Sequence, residues 1–156
     1  MAKLEVPVAW RGTKRVDDPK AHELLDGVVG TYVIYDPSFR FKYPDGCNRI
    51  VYIGRGNIGD RIYRHSLKKR TKRTPNPGNP LVRKLIHEKQ RKLRFHYTIL
   101  PSAVARCYEY DLLAEFVLWY GRRPWGNRSG GSWPLTQQIR WDEDTNIIGL
   151  YDVKCR

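Results

Sequence analysis

From Ser102 to Tyr120 the chain contains no proline or glycine, and it is bounded by Pro101 on one side and by Gly121 and Pro124 on the other. That punctuation predicts one long helix, with Ser102 as its cap. Residues 110–119 are apolar apart from Asp111 and Glu115, so this part of the helix should pack against other elements. A carboxylate in such a stretch loses hydration unless a cation meets it, and Glu115 therefore calls for a partner. A divalent metal is one such partner. Glu109 and Asp111 fall on other faces of the helix and read as exposed.

The elements before it alternate in type. Asp18-Pro19 and Gly27 delimit a short helix over 19–26, preceded by a loose arm. Residues 28–35 and 49–53, rich in Val, Ile and Tyr, read as antiparallel strands joined by the long loop 36–48, in which Phe39 to Tyr43 alternates and extends the hairpin. A helix follows over 60–69, broken across 71–79 by Pro75, Pro77 and Gly78. Asn79-Pro80 opens another helix to about residue 90, and 93–100 alternates as a half-buried strand. The tail 128–156 is irregular until a last strand over 147–153. The expectation is an α+β fold: a central three-stranded antiparallel sheet flanked by helices, with a basic helical insertion and a C-terminal extension. At 156 residues it suits one domain, 1–156, with arm 1–27, core 28–127 and extension 128–156.

The formal net charge is +13, and residues 61–94 alone hold thirteen Lys and Arg against the single acid Glu88. Charge concentrated in this way suits a phosphate backbone, whose neutralisation releases counterions. The candidate contacts are Arg55, Arg64, Lys68, Lys69, Arg70, Lys72, Arg73, Arg83 and Lys84; the bland alternative is a solvated basic face. Trp125, Trp133 and Trp141 either stack on bases or close a core edge. No apolar run reaches the roughly 18–20 residues that span a bilayer, which argues against a membrane partner, and a cytoplasmic location is expected. Cys47, Cys107 and Cys155 are odd in number and widely spaced, and they read as reduced. The histidines His22, His65, His87 and His96 show no zinc spacing.

Gly30-Thr31-Tyr32, then Tyr52-Ile53-Gly54, then Arg61 and His65 one helical turn apart, then Glu115 and Asn127, occur in an order that resembles the GIY-YIG nuclease family, closest to its restriction-endonuclease members. Thr31 stands where the family has an apolar residue, a departure that reads as minor. The resemblance implies a GIY-YIG-like fold over 28–127 and a metal-dependent endonuclease acting on duplex DNA. It also implies one Mg²⁺ or Mn²⁺ per site on Glu115, with Asn127 orienting the metal or its loop. Specificity would come from the insertion 68–94 and the tail, and a palindromic cut would favour a homodimer on DNA.

Phosphodiester hydrolysis needs a deprotonated water, offset phosphoryl charge and a stabilised leaving alkoxide. Tyr32 is the candidate base and needs nearby positive charge, because an ordinary tyrosine titrates near pH 10. Arg61 would hold the phosphate, Tyr52 would position the water, and His65 would help supply the charge. Taken singly, each has a structural reading: core tyrosines, a solvated helix histidine, a turn asparagine. The functional alternatives are a repair- or homing-type nuclease and a non-catalytic nucleic-acid-binding module.

Overall fold

The computed structural model of the chain describes residues 4–128 and 139–156. In order, its elements are β1 (Leu4–Val8), β2 (Arg11–Arg15), α1 (Pro19–Leu24), β3 (Val29–Tyr35), β4 (Phe41–Tyr43), β5 (Gly46–Asn48), β6 (Ile50–Asn57) and α2 (Ile58–Ser66). They continue with α3 (Pro80–His87), β7 (Arg94–Tyr97), α4 (Ser102–Tyr120), β8 (Ile139–Glu143), α5 (Ile147–Leu150) and β9 (Asp152–Val153). The fold is α+β.

The central sheet is antiparallel with order β2-β7-β3-β6, so it has four strands where three were expected. The fourth, β2, comes from the segment read as a loose arm. Its sequence, Arg-Gly-Thr-Lys-Arg, has no apolar alternation, and it joins through backbone pairing, with Lys14 opposite Phe95 and Arg15 opposite Arg94. An edge strand of this kind leaves no periodic trace. The rest of the arm, β1, pairs in parallel with β8 of the tail.

Opposite faces of this sheet carry the helices α2 and α4. Tyr32 reaches His65 of α2, with its hydroxyl 2.7 Å from Nε2. The next residue back, Thr31, donates its hydroxyl to the Ala105 carbonyl of α4 at 2.9 Å. Adjacent strand residues point to opposite faces, so α2 lies on one side and α4 on the other. Val33, Ile34, Ile53, Ile58, Ile62, Phe95 and Phe116 fill the core between them. Thr31 is itself fully buried, and its N–H donates to Thr98 Oγ1; the departure judged minor is a tether between sheet and helix.

Helix α4 has the expected ends, with Gly121 left-handed at φ 82°. Its N-cap is Pro101, however, and no side chain caps it: Ser102 is the first helical residue, not the cap. Val117, Leu118 and Trp119 turn outward, Leu118 being 82% exposed, so its last turns are not wholly buried. Among the described residues no helix is long and apolar enough to cross a membrane.

Segment 39–43 does not extend the β3–β6 hairpin. It pairs with β5 in a separate sheet of order β4-β5-β9. The expected strand over 147–153 is mostly the helix α5, because the Asn146 side chain accepts from the Gly149 N–H and caps a turn before β9 begins. Pairing of β9 with β5 sets Cys47 opposite Val153, and Cys47 forms a disulfide with Cys155, their Cα atoms 5.4 Å apart. Two of the three cysteines are therefore bonded, not reduced, and only Cys107 is free and buried. The partners are 108 residues apart, so nothing local announces the pair. A crosslink over that span stabilises chiefly by constraining the unfolded chain. Cys155→Ser should cost about 2–4 kcal/mol, read as a lower urea midpoint that the unaltered protein reproduces in reductant. Identical midpoints with and without reductant would show that the bridge contributes nothing.

Candidate active site

Tyr32 on β3 lies directly across from Gly54 on β6. A Cβ at Gly54 would stand 2.5 Å from the Cζ and Oη of Tyr32 and 2.7 Å from Cε1 of Tyr52. Glycine is required here for packing: the bare backbone is the floor on which the two rings converge, their centroids 6.1 Å apart. His65 completes the cluster, its ring centroid 4.8 Å from that of Tyr52 and 5.8 Å from that of Tyr32. Arg61 and His65 share one face of α2. Arg61 lies over Gly56, where a Cβ would come 3.1 Å from its Nε.

Burial and charge set the chemistry of these groups. Burial, reinforced by Tyr52, pushes the Tyr32 hydroxyl well above the usual tyrosine range, and Arg61 opposes this. Tyr52 is raised by burial and by Glu109, again against Arg61. Burial first, and then Arg61, lowers His65 to about 3, so its ring is neutral at any working pH.

The carboxylate whose charge reaches this cluster is Glu109, on α4. It belongs to the row Ala105, Glu109, Leu113 along α4, of which Ala105 and Leu113 are buried, and its side chain is 19% exposed. Arg55 lies 3.8 Å away, and the negative charge of Glu109 acts on both Tyr52 and Tyr32. Burial raises its carboxyl group, while Arg55, Arg61 and Arg106 pull it back. Glu115 is elsewhere. It falls on a different face of α4, raised by burial and by the neighbouring acids Glu143 and Asp111. There Tyr108 donates to Glu143 at 2.7 Å and the Trp141 indole donates to Asp111 at 2.7 Å. Glu115 is thus placed among acids, whereas Glu109 is the α4 carboxylate that interacts electrostatically with the tyrosines and Arg61. Apolar residues run round α4 on nearly every face, so the sequence offered no phase by which to tell the two glutamates apart.

Asn127 is next to the site and helps to hold it. Its side-chain amide donates to the Ile53 carbonyl at 2.8 Å and accepts from the Ile53 N–H at 3.0 Å, while the Gly126 N–H donates to the Val51 carbonyl. Residues 126 and 127 pair with the outer edge of β6 on both sides of Tyr52, so Asn127 positions that tyrosine. Asn79, which drew notice only as a helix cap, sits at the centre of the local network. Its side chain caps α3 through the Leu81 and Val82 N–H groups and donates to the Gly126 carbonyl at 2.6 Å. Its main-chain N–H donates to His65 Nδ1 at 2.8 Å.

No family model, no curated protein and no solved structure matches this chain. Its chemistry therefore rests on the residues themselves. Among the described residues no group of three or more His, Cys, Asp and Glu side chains is assembled for a metal. A single half-buried carboxylate, with water and phosphate oxygens completing the shell, is an ordinary Mg²⁺ arrangement. Glu109 fits that donor set.

The basic residues divide by role. Lys68, Lys69, Arg70, Lys72, Arg73 and Lys84 are exposed. Lys68 and Lys84 line a groove of about 360 Å³ with Pro80, Arg83, His87 and Glu88. The other candidates serve the fold as well: Arg64 holds Asp60 at 2.9 Å and the Asn76 carbonyl, Arg83 donates to the Leu67 carbonyl, and Arg55 faces Glu109. Trp141 is committed to Asp111 and to the Tyr108 ring. Trp125 stacks on Tyr43, and the Arg122 guanidinium lies 3.7 Å over its ring. Trp133 lies outside the described residues.

Proposed function

We propose that this chain is a metal-dependent DNA endonuclease of GIY-YIG type, restriction-like and acting on duplex DNA, with Glu109 in the metal-binding role. The observation that carries this reading is the convergence on Gly54 of Tyr32, Tyr52 and His65, with Arg61 over the neighbouring Gly56 and the charge of Glu109 acting on both tyrosines. A solvated face or a plain sheet core has no use for two tyrosines, a neutral histidine, an arginine and a carboxylate in mutual electrostatic reach.

In the proposed reaction Tyr32 first loses its proton to solvent, the phenolate takes a proton from the water whose oxygen attacks phosphorus, one P–O ester bond breaks, and the departing alkoxide takes a proton from solvent. Tyr32 is the base and Tyr52 orients the water. The buried phenol is protonated at rest, so its activity depends on Arg61, which also grips the phosphoryl oxygens. A divalent ion bound at Glu109 would supply further positive charge, offsetting the charge on the phosphate and easing ionisation of the water. The exposed lysines and arginines of 68–84 draw in the DNA backbone.

Purified protein should convert supercoiled plasmid and phage DNA to discrete fragments in Mg²⁺ and leave them intact in EDTA. Smearing with the same metal dependence would shift the assignment to a repair-type or non-specific nuclease. Intact DNA with salt-sensitive binding would replace it with a binding module.

A further inference from the structure

We infer that His65 serves the site as a fixed hydrogen-bond donor to Tyr32, not as a base toward it, and that the Gly78–Asn79 peptide is the positioning element that imposes this direction. The inference rests on the nuclease reading of the site for its catalytic meaning, but its geometric content stands by itself. A main-chain N–H can only donate, so the 2.8 Å contact from the Asn79 nitrogen makes His65 Nδ1 an acceptor. A neutral imidazole carries one ring proton. With Nδ1 bare, that proton is on Nε2, which faces the Tyr32 hydroxyl at 2.7 Å. Tyr32 Oη therefore accepts from His65, and its own proton must point away from the histidine.

Burial and Arg61 keep the ring from gaining a second proton, since His65 is held at about 3. The charges facing it from the packed elements are few: Arg61 on its own helix, and the neutral phenols of Tyr32 and Tyr52 from the sheet. The ring therefore keeps one tautomer throughout the neutral range, and Nε2–H lies ready to stabilise an oxygen that gains negative charge on Tyr32.

The supporting peptide approaches because residue 78 is glycine. A Cβ there would fall 2.5 Å from the main-chain nitrogen of His65 and 2.5 Å from its Nδ1. The Gly78 N–H also donates to the Arg64 carbonyl at 2.9 Å, which anchors the loop to the end of α2. Gly78 thus does for His65 what Gly54 does for the tyrosines.

The test has a spectroscopic arm that needs no DNA. Nitrogen-15 NMR of the imidazole in the intact protein should show His65 protonated on Nε2 alone across the neutral range; protonation on Nδ1, or a ring that titrates near pH 6, would overturn the inference. Gly78→Ala should move the peptide off Nδ1 and mix the tautomers while the far-UV spectrum persists. An unchanged Nε2–H signal in that variant would remove the peptide from its positioning role. In the cleavage assay, His65→Ala should lose about 10²-fold, and His65→Gln, whose amide also donates, should recover to within about tenfold of the starting rate. If His65→Gln stays as low as His65→Ala while folding normally, the donor role is wrong. Failure of the starting protein to cleave in Mg²⁺ would count against the nuclease reading and leave the NMR result standing.

Discussion

Glu109→Ala should reduce Mg²⁺-dependent cleavage by about 10³-fold or more, since loss of the ion's anchoring carboxylate removes several kcal/mol of transition-state stabilisation. Binding of DNA at low salt should survive, because the exposed basic residues of 68–84 are untouched. Glu115→Gln is the matched control and should behave in the opposite way. Glu115 is raised by burial beside Glu143 and Asp111, so at neutral pH its ionised form destabilises the fold. That penalty is absent below the unfolded carboxyl pKa and complete once pH passes the raised folded one. Glu115→Gln should therefore keep activity and raise the thermal midpoint at pH 7, with the gain vanishing as the solution is acidified below about pH 4. Loss of cleavage in Glu115→Gln with retention in Glu109→Ala would reverse the assignment.

Gly30→Ala should cost more than about 4 kcal/mol, comparable to the whole stability of a marginal domain. A Cβ on Gly30 would lie 1.7 Å from the carbonyl oxygen of Thr98. That carbonyl cannot retreat, because the Thr98 N–H donates to the Thr31 carbonyl at 2.8 Å and the Leu100 N–H to the Val29 carbonyl at 3.1 Å. Soluble yield and the urea midpoint measure the effect; a folded variant within 1 kcal/mol of the parent by this test would show that the strand end yields. Gly54→Ala should act differently, since its contacts are with Tyr32 and Tyr52 side chains. Its main cost should be displacement of the tyrosine rings and loss of cleavage. The first glycine of the pair is thus required by backbone and the second by the site.

Much of this was legible in the sequence because it is written in local signals. Pro101 and Gly121 bound α4 where expected, and the Val, Ile and Tyr runs became β3 and β6. Tyr32, Tyr52 and His65, grouped in the sequence only by a resemblance, lie together around Gly54, with Arg61 over Gly56. What stayed hidden depends on long-range geometry. Glu109 and Glu115 differ only in helix phase, which a helix apolar on most faces does not reveal. β2 is polar and held by backbone pairing, Cys47 and Cys155 meet only through the third sheet, and Asn127 imitates a strand by means of its side chain. Asn79 looked like a cap and is one, but no cap signal says that the same residue's N–H reaches a histidine.

That double duty of Asn79 has a mechanical corollary. The residue from which α3 starts, with Lys84 and the neighbouring basic groove, is also the residue that orients His65. Under the nuclease reading, a duplex settling onto α3 loads the same joint that aligns the proton-handling ring. Grip and chemistry are then geared together: a poorly seated substrate leaves the joint slack, and selectivity arises at the catalytic step as well as in binding.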